Sequence, residues 1–173
     1  GDPTFIADMN ETDLNGDSRI LGQCVDLGAD ETWPVQNITS GNNHESIQSA
    51  IDDANQFDTV LVAKGRYYEN INFNAKNITL RSSDPNDNKT VSVTIIDGNN
   101  ADTVVTINSG EDANCILTGF TITNGNTITY GGGIAIADAS PQITKNNIHS
   151  NKAGNGGGIN ILGSSAQILN NKI

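Results

Sequence analysis

The chain has 173 residues, 35% of them hydrophobic, and its 20 acidic side chains outnumber nine lysines and arginines to give a net charge of −11. This length and apolar content allow one elongated domain with a real core. The charge balance argues against nucleic acid or an anionic membrane as a partner, because the basic residues are scattered along the sequence. We also expect no membrane insertion, since no apolar run approaches the length of a span.

The first segment, 1–33, stands apart from the pattern of the rest. Asp13, Asn15 and Asp17 place oxygen-bearing side chains at alternate positions, as in the first half of a calcium loop. Position 12 of such a loop would be Cys24, which offers no oxygen. The spacing therefore makes calcium the candidate cofactor at these three residues, and a solvated turn is the alternative.

The two cysteines allow two interpretations. Cys24 lies in the first segment and Cys115 in a strand-like run. A disulfide between them would form only in an oxidising compartment. Alternatively both thiols are unpaired, with Cys115 buried as a small apolar residue.

A short amphipathic helix is predicted near residues 44–55. Ile47, Ala50, Ile51 and Ala54 recur at the spacing of one helical face, and Asn43 suits the N-cap position. A lone helix in front of a stack of strands would cover the open apolar end of that stack.

The strongest signal is a repeat near the end of the chain. GGGIAIADASPQITKNNI at 131–148 returns as GGGINILGSSAQILNNKI at 156–173, with a constant offset of 25 residues. Upstream, 77–80, 93–98 and 103–107 are strand-like. A period in the twenties with short alternating Ile clusters predicts stacked coils of three short strands each. About five or six such coils fit the chain.

Asparagine is placed periodically within this repeat, because Asn146 returns as Asn171. In a parallel stack such residues can bond to one another as a ladder. Asn also tolerates the left-handed backbone of tight turns, and both explanations can hold at one turn.

The run ESIQSAIDDANQFDTVLVAKGRYYENINFNAKNITLRSSD resembles the opening of right-handed parallel β-helix proteins of the pectin lyase-like superfamily. The GGGI tetrapeptides and FTITN resemble repeats of large secreted bacterial β-helix proteins. The resemblance implies an all-β fold, a right-handed parallel β-helix with three strands per coil of about 25 residues and an N-terminal capping helix. It also implies a secreted or cell-surface location.

The domain organisation follows from the same resemblance. Segment 1–33 resembles the closing segment of a preceding β-helix unit, and 34–173 is predicted to be a β-helix truncated at its C-terminal end. The chain is therefore expected to be a fragment of a longer protein.

The sequence predicts no catalytic residue. Pectin-degrading relatives use clustered Asp and a basic residue on one face, yet no Asp cluster surrounds Arg66, Arg81, Lys145 or Lys152. Asp97 sits at a turn, where Asp caps its own backbone. His149 has no periodic partner.

Aromatic residues offer the candidate ligand contacts. Tyr67 and Tyr68 are neighbours on one strand, so one is expected to face inward and the other outward. We take Tyr68 and Tyr130 as candidate carbohydrate contacts, since aromatic rings stack on sugars. Packing is the alternative role for each.

The favoured function is a non-catalytic structural, adhesin-like or carbohydrate-contacting module, with a polysaccharide or cell-surface glycan as the partner. One alternative is the N-terminal part of a polysaccharide lyase or glycoside hydrolase with its catalytic coils beyond residue 173. A second alternative is head-to-tail self-association through the uncapped C-terminal coil, which would build filaments.

Overall fold

The computed structural model describes the strands Ile20–Leu21 and Cys24–Val25 and residues 33–173. By its contacts the chain divides into two compact units, Gly1–Trp33 and Pro34–Ile173. In the first unit β1 (Ile20–Leu21) pairs antiparallel with β2 (Cys24–Val25). No helix in the described part of the chain is long and apolar enough to cross a membrane.

The second unit is a parallel β-helix whose turns visit three sheets in order. Sheet 1 contains β3 (Val35–Asn37), β4 (Asn43–His44), β5 (Thr59–Val62), β8 (Thr79–Ser82), β11 (Ile116–Thr118), β14 (Gln142–Thr144) and β17 (Gln167–Leu169). Sheet 2 contains β6 (Gly65–Tyr68), β9 (Thr94–Asp97), β12 (Thr121–Thr123) and β15 (Asn147–Ile148). Sheet 3 contains β7 (Ile71–Asn72), β10 (Val105–Ile107), β13 (Ile134–Ala137) and β16 (Ile159–Leu162).

The predicted repeat sets the register of the last coils. Ile134 pairs with Ile159 and Ile143 with Ile168, so the offset of 25 residues is the rise of one rung. Alternate residues of each strand point inward, and their apolar side chains form one continuous core. Burying each such side chain contributes about 1.5–3 kcal/mol.

The number of coils differs from the prediction. Four turns run from β5 to β16, and β17 begins the next rung, where five or six coils were expected. Two features explain the difference. The second turn is longer than 25 residues, since Thr79 pairs with Ile116. In addition, β3 and β4 extend sheet 1 as antiparallel strands instead of forming a coil.

The capping helix is present but shorter than predicted. Helix α1 spans Ile47–Asp53, and Ser46 is its N-cap, because the Ser46 hydroxyl accepts the Ser49 N–H at 3.1 Å. The predicted N-cap, Asn43, is wrong, because Asn43 lies in β4 and pairs with Gln36 of β3. The predicted apolar face is confirmed: Ile47, Ala50, Ile51 and Ala54 are buried at the open end of the core.

The asparagine ladder forms at the corner between sheets 1 and 2. Asn146 Oδ1 accepts the Phe120 N–H at 2.9 Å, and one rung later Asn171 Oδ1 accepts the Asn146 N–H at 2.9 Å. The turn role belongs to other residues, such as Asn124 and Asn170, which adopt positive φ. Both explanations therefore hold, at different asparagines.

One corner of the helix breaks this regular pattern. Sheets 1 and 2 are joined by two residues in the first, third and fourth turns, whereas the second turn uses residues 83–93. We call 83–93 the insertion. It contains the helix α2 (Asn88–Val93), capped by Asp87, whose carboxylate accepts the Lys89 and Thr90 N–H groups.

Candidate functional site

The insertion creates a groove on the outer face of sheet 2. Helix α2 lies beside β9 and β12, and the Thr121 hydroxyl donates to the Val91 carbonyl at 2.9 Å, which fixes the helix to the third turn. Gly119 permits the close crossing, because a Cβ there would lie 2.8 Å from Pro85 Cα and φ is +85°. A face that would otherwise be flat thus gains a wall.

The groove has two adjoining parts that share Ser92 and Asn147. We call the first the lysine cleft; its volume is about 560 Å³ and it is lined by Pro85, Asn86, Asn88, Val91, Ser92, Lys145, Asn146, Asn147, Asn170 and Lys172. We call the second the arginine cleft; its volume is about 480 Å³ and it is lined by Arg66, Ser92, Ile95, Thr121, Thr123, Asn124, Asn147, His149 and Ser150.

The strands of sheet 2 present two rows of outward side chains; the first row lines the arginine cleft throughout, and the second lines it at Thr123 but not at Tyr68 or Asp97. The first row is Arg66, Ile95, Thr121 and Asn147, one residue from each turn. The second row begins with Tyr68, Asp97 and Thr123. Because rungs of a parallel sheet lie about 4.8 Å apart, each row spaces its groups closely along the groove.

A buried carboxylate, that of Asp97, lies on the outer face of sheet 2. Asp97 is 2% exposed, and it pairs with Arg66 and accepts a hydrogen bond from Asn124 Nδ2 at 2.9 Å and from the Asn99 N–H at 2.9 Å. Burial raises the pKa of Asp97, but the hydrogen bonds and the Arg66 charge outweigh it, so the net pKa is lowered. Asp97 therefore stays ionised and is a weak proton acceptor.

Basic side chains that are scattered in the sequence meet along this groove. Arg66, Lys145 and Lys172 come from the first, fourth and last rungs, and His149 joins them in the arginine cleft. Lys145 Nζ donates to Asn86 Oδ1 of the insertion at 2.7 Å. The sequence does not predict that these three cations share a groove, because no fixed spacing relates them.

The predicted carbohydrate contacts are placed differently by the fold. Tyr68 is 65% exposed and stands in the second row of sheet 2, next to Asp97, but it lines neither cleft. Its neighbour Tyr67 faces inward and its hydroxyl lies 2.9 Å from the Pro34 carbonyl, so the alternation of the pair is confirmed. Tyr130 is 52% exposed in the loop between β12 and β13, and it lines neither cleft.

The calcium prediction is not tested by the structure. Asp13, Asn15 and Asp17 fall outside the described residues, so calcium stays a prediction. Within the described part of the chain no group of three or more His, Cys, Asp or Glu could hold a metal ion. Cys115 is a free, buried thiol, and burial raises its pKa, with further contributions from Glu111 and Asp112. Head-to-tail association also stays a prediction.

The groove lies almost entirely within the part of the chain that matches a known family. No curated protein matches the chain, and no solved structure does. A family described as "Protein of unknown function (DUF1565)" matches residues 72–173, which include every residue lining the two clefts except Arg66. Because this match covers more than half of the chain, the protein belongs to the DUF1565 family.

Proposed function

We propose that the protein is a non-catalytic β-solenoid module of a secreted or cell-surface protein, and that it contacts carbohydrate through the sheet 2 groove. The observation that carries this proposal is the position of Tyr68. Its exposed ring stands in the row of sheet 2 that continues through Asp97 to Thr123, which lines the arginine cleft. An aromatic platform beside hydroxyl and amide groups suits a sugar chain, which presents apolar ring faces and polar edges.

The polar lining supports the same ligand class. Thr123 and Asn147 offer donors and acceptors in the arginine cleft, and Ile95, between Arg66 and Thr121 in the first row, provides an apolar patch. The rows follow the axis of the helix and present a different side chain on each rung, so an extended chain could make contacts of several kinds along that axis. The rigid stack also orders the contacts before binding, which lowers the entropic cost of association.

The test is binding of neutral polysaccharides to the protein, measured by affinity electrophoresis and calorimetry. Tyr68→Ala is expected to weaken binding about fivefold or more, since an aromatic contact contributes roughly 1 kcal/mol or more. Tyr130→Ala is the matched control, because it removes another exposed ring that lies in the loop between β12 and β13, away from the two rows of sheet 2. Equal losses in the two variants, or no binding by the parent protein, would refute the proposal.

A second candidate is an enzyme acting on polysaccharides, and one observation favours it. Arg66 and His149 line the same cleft, with ionised Asp97 beneath Arg66. Proton transfer needs groups within hydrogen-bond reach of the substrate and of suitable pKa. The lowered pKa of Asp97 and its engagement by three donors speak against a role as a base. Release of new reducing ends or unsaturated products that is lost in His149→Ala would support the enzyme.

A further inference from the structure

The lysine cleft has a charge opposite to that of the protein around it. The chain carries 20 acidic side chains and a net charge of −11, yet the ten residues lining this cleft include two lysines and no carboxylate. The two positive charges attract an anion to this cleft, whereas the net negative charge of the protein repels anions from other parts of its surface. Stacking of the β-helix does not require these two positive charges, because both lysine side chains are exposed.

The two ammonium groups retain donors for a ligand. Lys145 Nζ uses one donor on Asn86 Oδ1 and keeps two, since an ammonium has three. Lys172 makes no ion pair with any acidic residue of the described region. The side-chain amides of Asn88 and Asn170 border the same space and can add neutral donors.

The kind of cation indicates the kind of anion. The guanidinium of arginine matches a carboxylate or a phosphate with two parallel hydrogen bonds, whereas an ammonium acts as a point charge whose donors can turn toward any oxygen. The groove's arginine, Arg66, is already engaged by Asp97, and the cleft itself offers only lysines. Donors from two separate lysines and from the amides of Asn88 and Asn170 surround one space, and a group with three free oxygens can accept from more of them than the two oxygens of a uronate carboxylate.

We propose that the lysine cleft is an anion subsite that takes a sulfate or phosphate ester carried on the glycan bound in the groove. This inference rests on the proposed function for the glycan, because Ser92 and Asn147 join the lysine cleft to the arginine cleft. The cleft itself can be tested without a glycan.

The first experiment titrates inorganic sulfate, phosphate and acetate at constant ionic strength and follows the Lys145 and Lys172 signals by NMR. We expect saturable shifts with sulfate or phosphate and binding of acetate about tenfold weaker. Lys145→Gln and Lys172→Gln should each weaken binding about five- to tenfold. Lys89→Gln is the matched control, because it removes an exposed lysine of α2 that does not line the cleft. Equal effects of all three variants, or equal binding of acetate, would overturn the subsite.

The second experiment compares dextran, carboxymethyl-dextran and dextran sulfate, which share one backbone. We expect dextran sulfate to bind at least about tenfold more tightly than carboxymethyl-dextran of equal charge density and than inorganic sulfate. If inorganic sulfate binds as tightly as dextran sulfate, the cleft takes an adventitious ion only, and the glycan assignment is overturned. Binding of an oligonucleotide as tightly as dextran sulfate would also overturn the glycan assignment.

The two proposals fail in different ways. Binding of neutral glycans that depends on Tyr68, together with no response to sulfate or phosphate, would refute the anion subsite and leave the proposed function standing. Saturable binding of sulfate at the two lysines, with no polysaccharide bound by the parent protein, would refute the proposed function instead.

Discussion

At the scale of single residues, Asp97 couples the groove to the stability of the fold. Its folded pKa lies below the ordinary value of an Asp carboxyl, because hydrogen bonds and Arg66 outweigh the effect of burial. A carboxylate with a lowered folded pKa stabilises the fold above its unfolded pKa of about 4, and this contribution is lost as the pH falls through the folded pKa.

We expect Asp97→Asn to lower the free energy of unfolding by about 1–2 kcal/mol at pH 7, a figure reduced because Arg66 is half exposed. The difference from the parent protein should shrink as the pH falls below about 4. Urea denaturation at pH 7 and pH 3 measures it. Glu45→Gln, which alters an exposed carboxylate, should have little effect at either pH. A difference that is unchanged at pH 3 would contradict the assignment.

Cys115 makes a second prediction at this scale. Its thiol is fully buried, and burial raises its pKa, so the reactive thiolate is suppressed twice over. In a Cys24→Ser background, we expect Cys115 to resist alkylation in the native protein and to react only as denaturant unfolds the coils. Mass spectrometry measures the labelling, and circular dichroism measures the β-structure. Labelling of Cys115 before the β-structure is lost would contradict the prediction and show that the core opens locally.

At the scale of elements, α1 is held by the coil that it covers. A helix of seven residues is not stable alone in water. The Glu69 carboxylate accepts the Ile47 and Gln48 N–H groups, each at 2.9 Å, at one end of the helix. At the other end Lys76 Nζ donates to the Ile51 carbonyl at 2.8 Å. Opposite charges thus sit at the two ends of the helix, as its dipole favours.

We expect Glu69→Gln and Lys76→Met each to lower the free energy of unfolding by about 1–2 kcal/mol, because each leaves helix-end groups without a charged partner. Thermal and chemical denaturation measure the change. Lys64→Met is the control, since Lys64 is exposed on the corner between β5 and β6. If the control is as destabilising as the two test variants, the helix ends are not the cause.

At the scale of the whole molecule, the stack and the groove are separable. Replacing residues 83–93 with Ala-Lys, the corner used in the first turn, should keep the parallel sheets, because the other turns close with two residues. Loss of buried Val91 should cost about 1–3 kcal/mol. We expect unchanged β-structure by circular dichroism and loss of glycan binding. Binding that survives the replacement would place the ligand elsewhere.

The regular coils were predictable from the sequence. Ile134 and Ile159 occupy equivalent places in two copies, so their pairing follows from the repeat alone. The early turns were less predictable, because their lengths vary and no copy marks the register. The N-cap was wrong for a local reason: Asn43 and Ser46 are both good caps, and only pairing of Asn43 with β3 decides between them.

Of the candidate site, the sequence predicted which of two adjacent tyrosines faces outward, because side chains alternate along a strand. Contact of Tyr68 with carbohydrate stays a prediction. The partnership of Arg66 and Asp97 was missed, since the two residues are separated by a turn of irregular length. The lysine cleft was missed for a similar reason: Lys145 meets Asn86 only because the insertion folds back over later turns.

The sequence by itself determined the stacked coils, the inward isoleucines and the outward Tyr68, because a constant offset and strict alternation act through neighbouring residues and identical rungs. Only the tertiary structure decided that the insertion forms a wall and that distant cations share one groove. The physical reason is that these contacts join turns of unequal length. Their partners are set by how the chain packs across the outer face, and no repeating interval in the sequence encodes that packing.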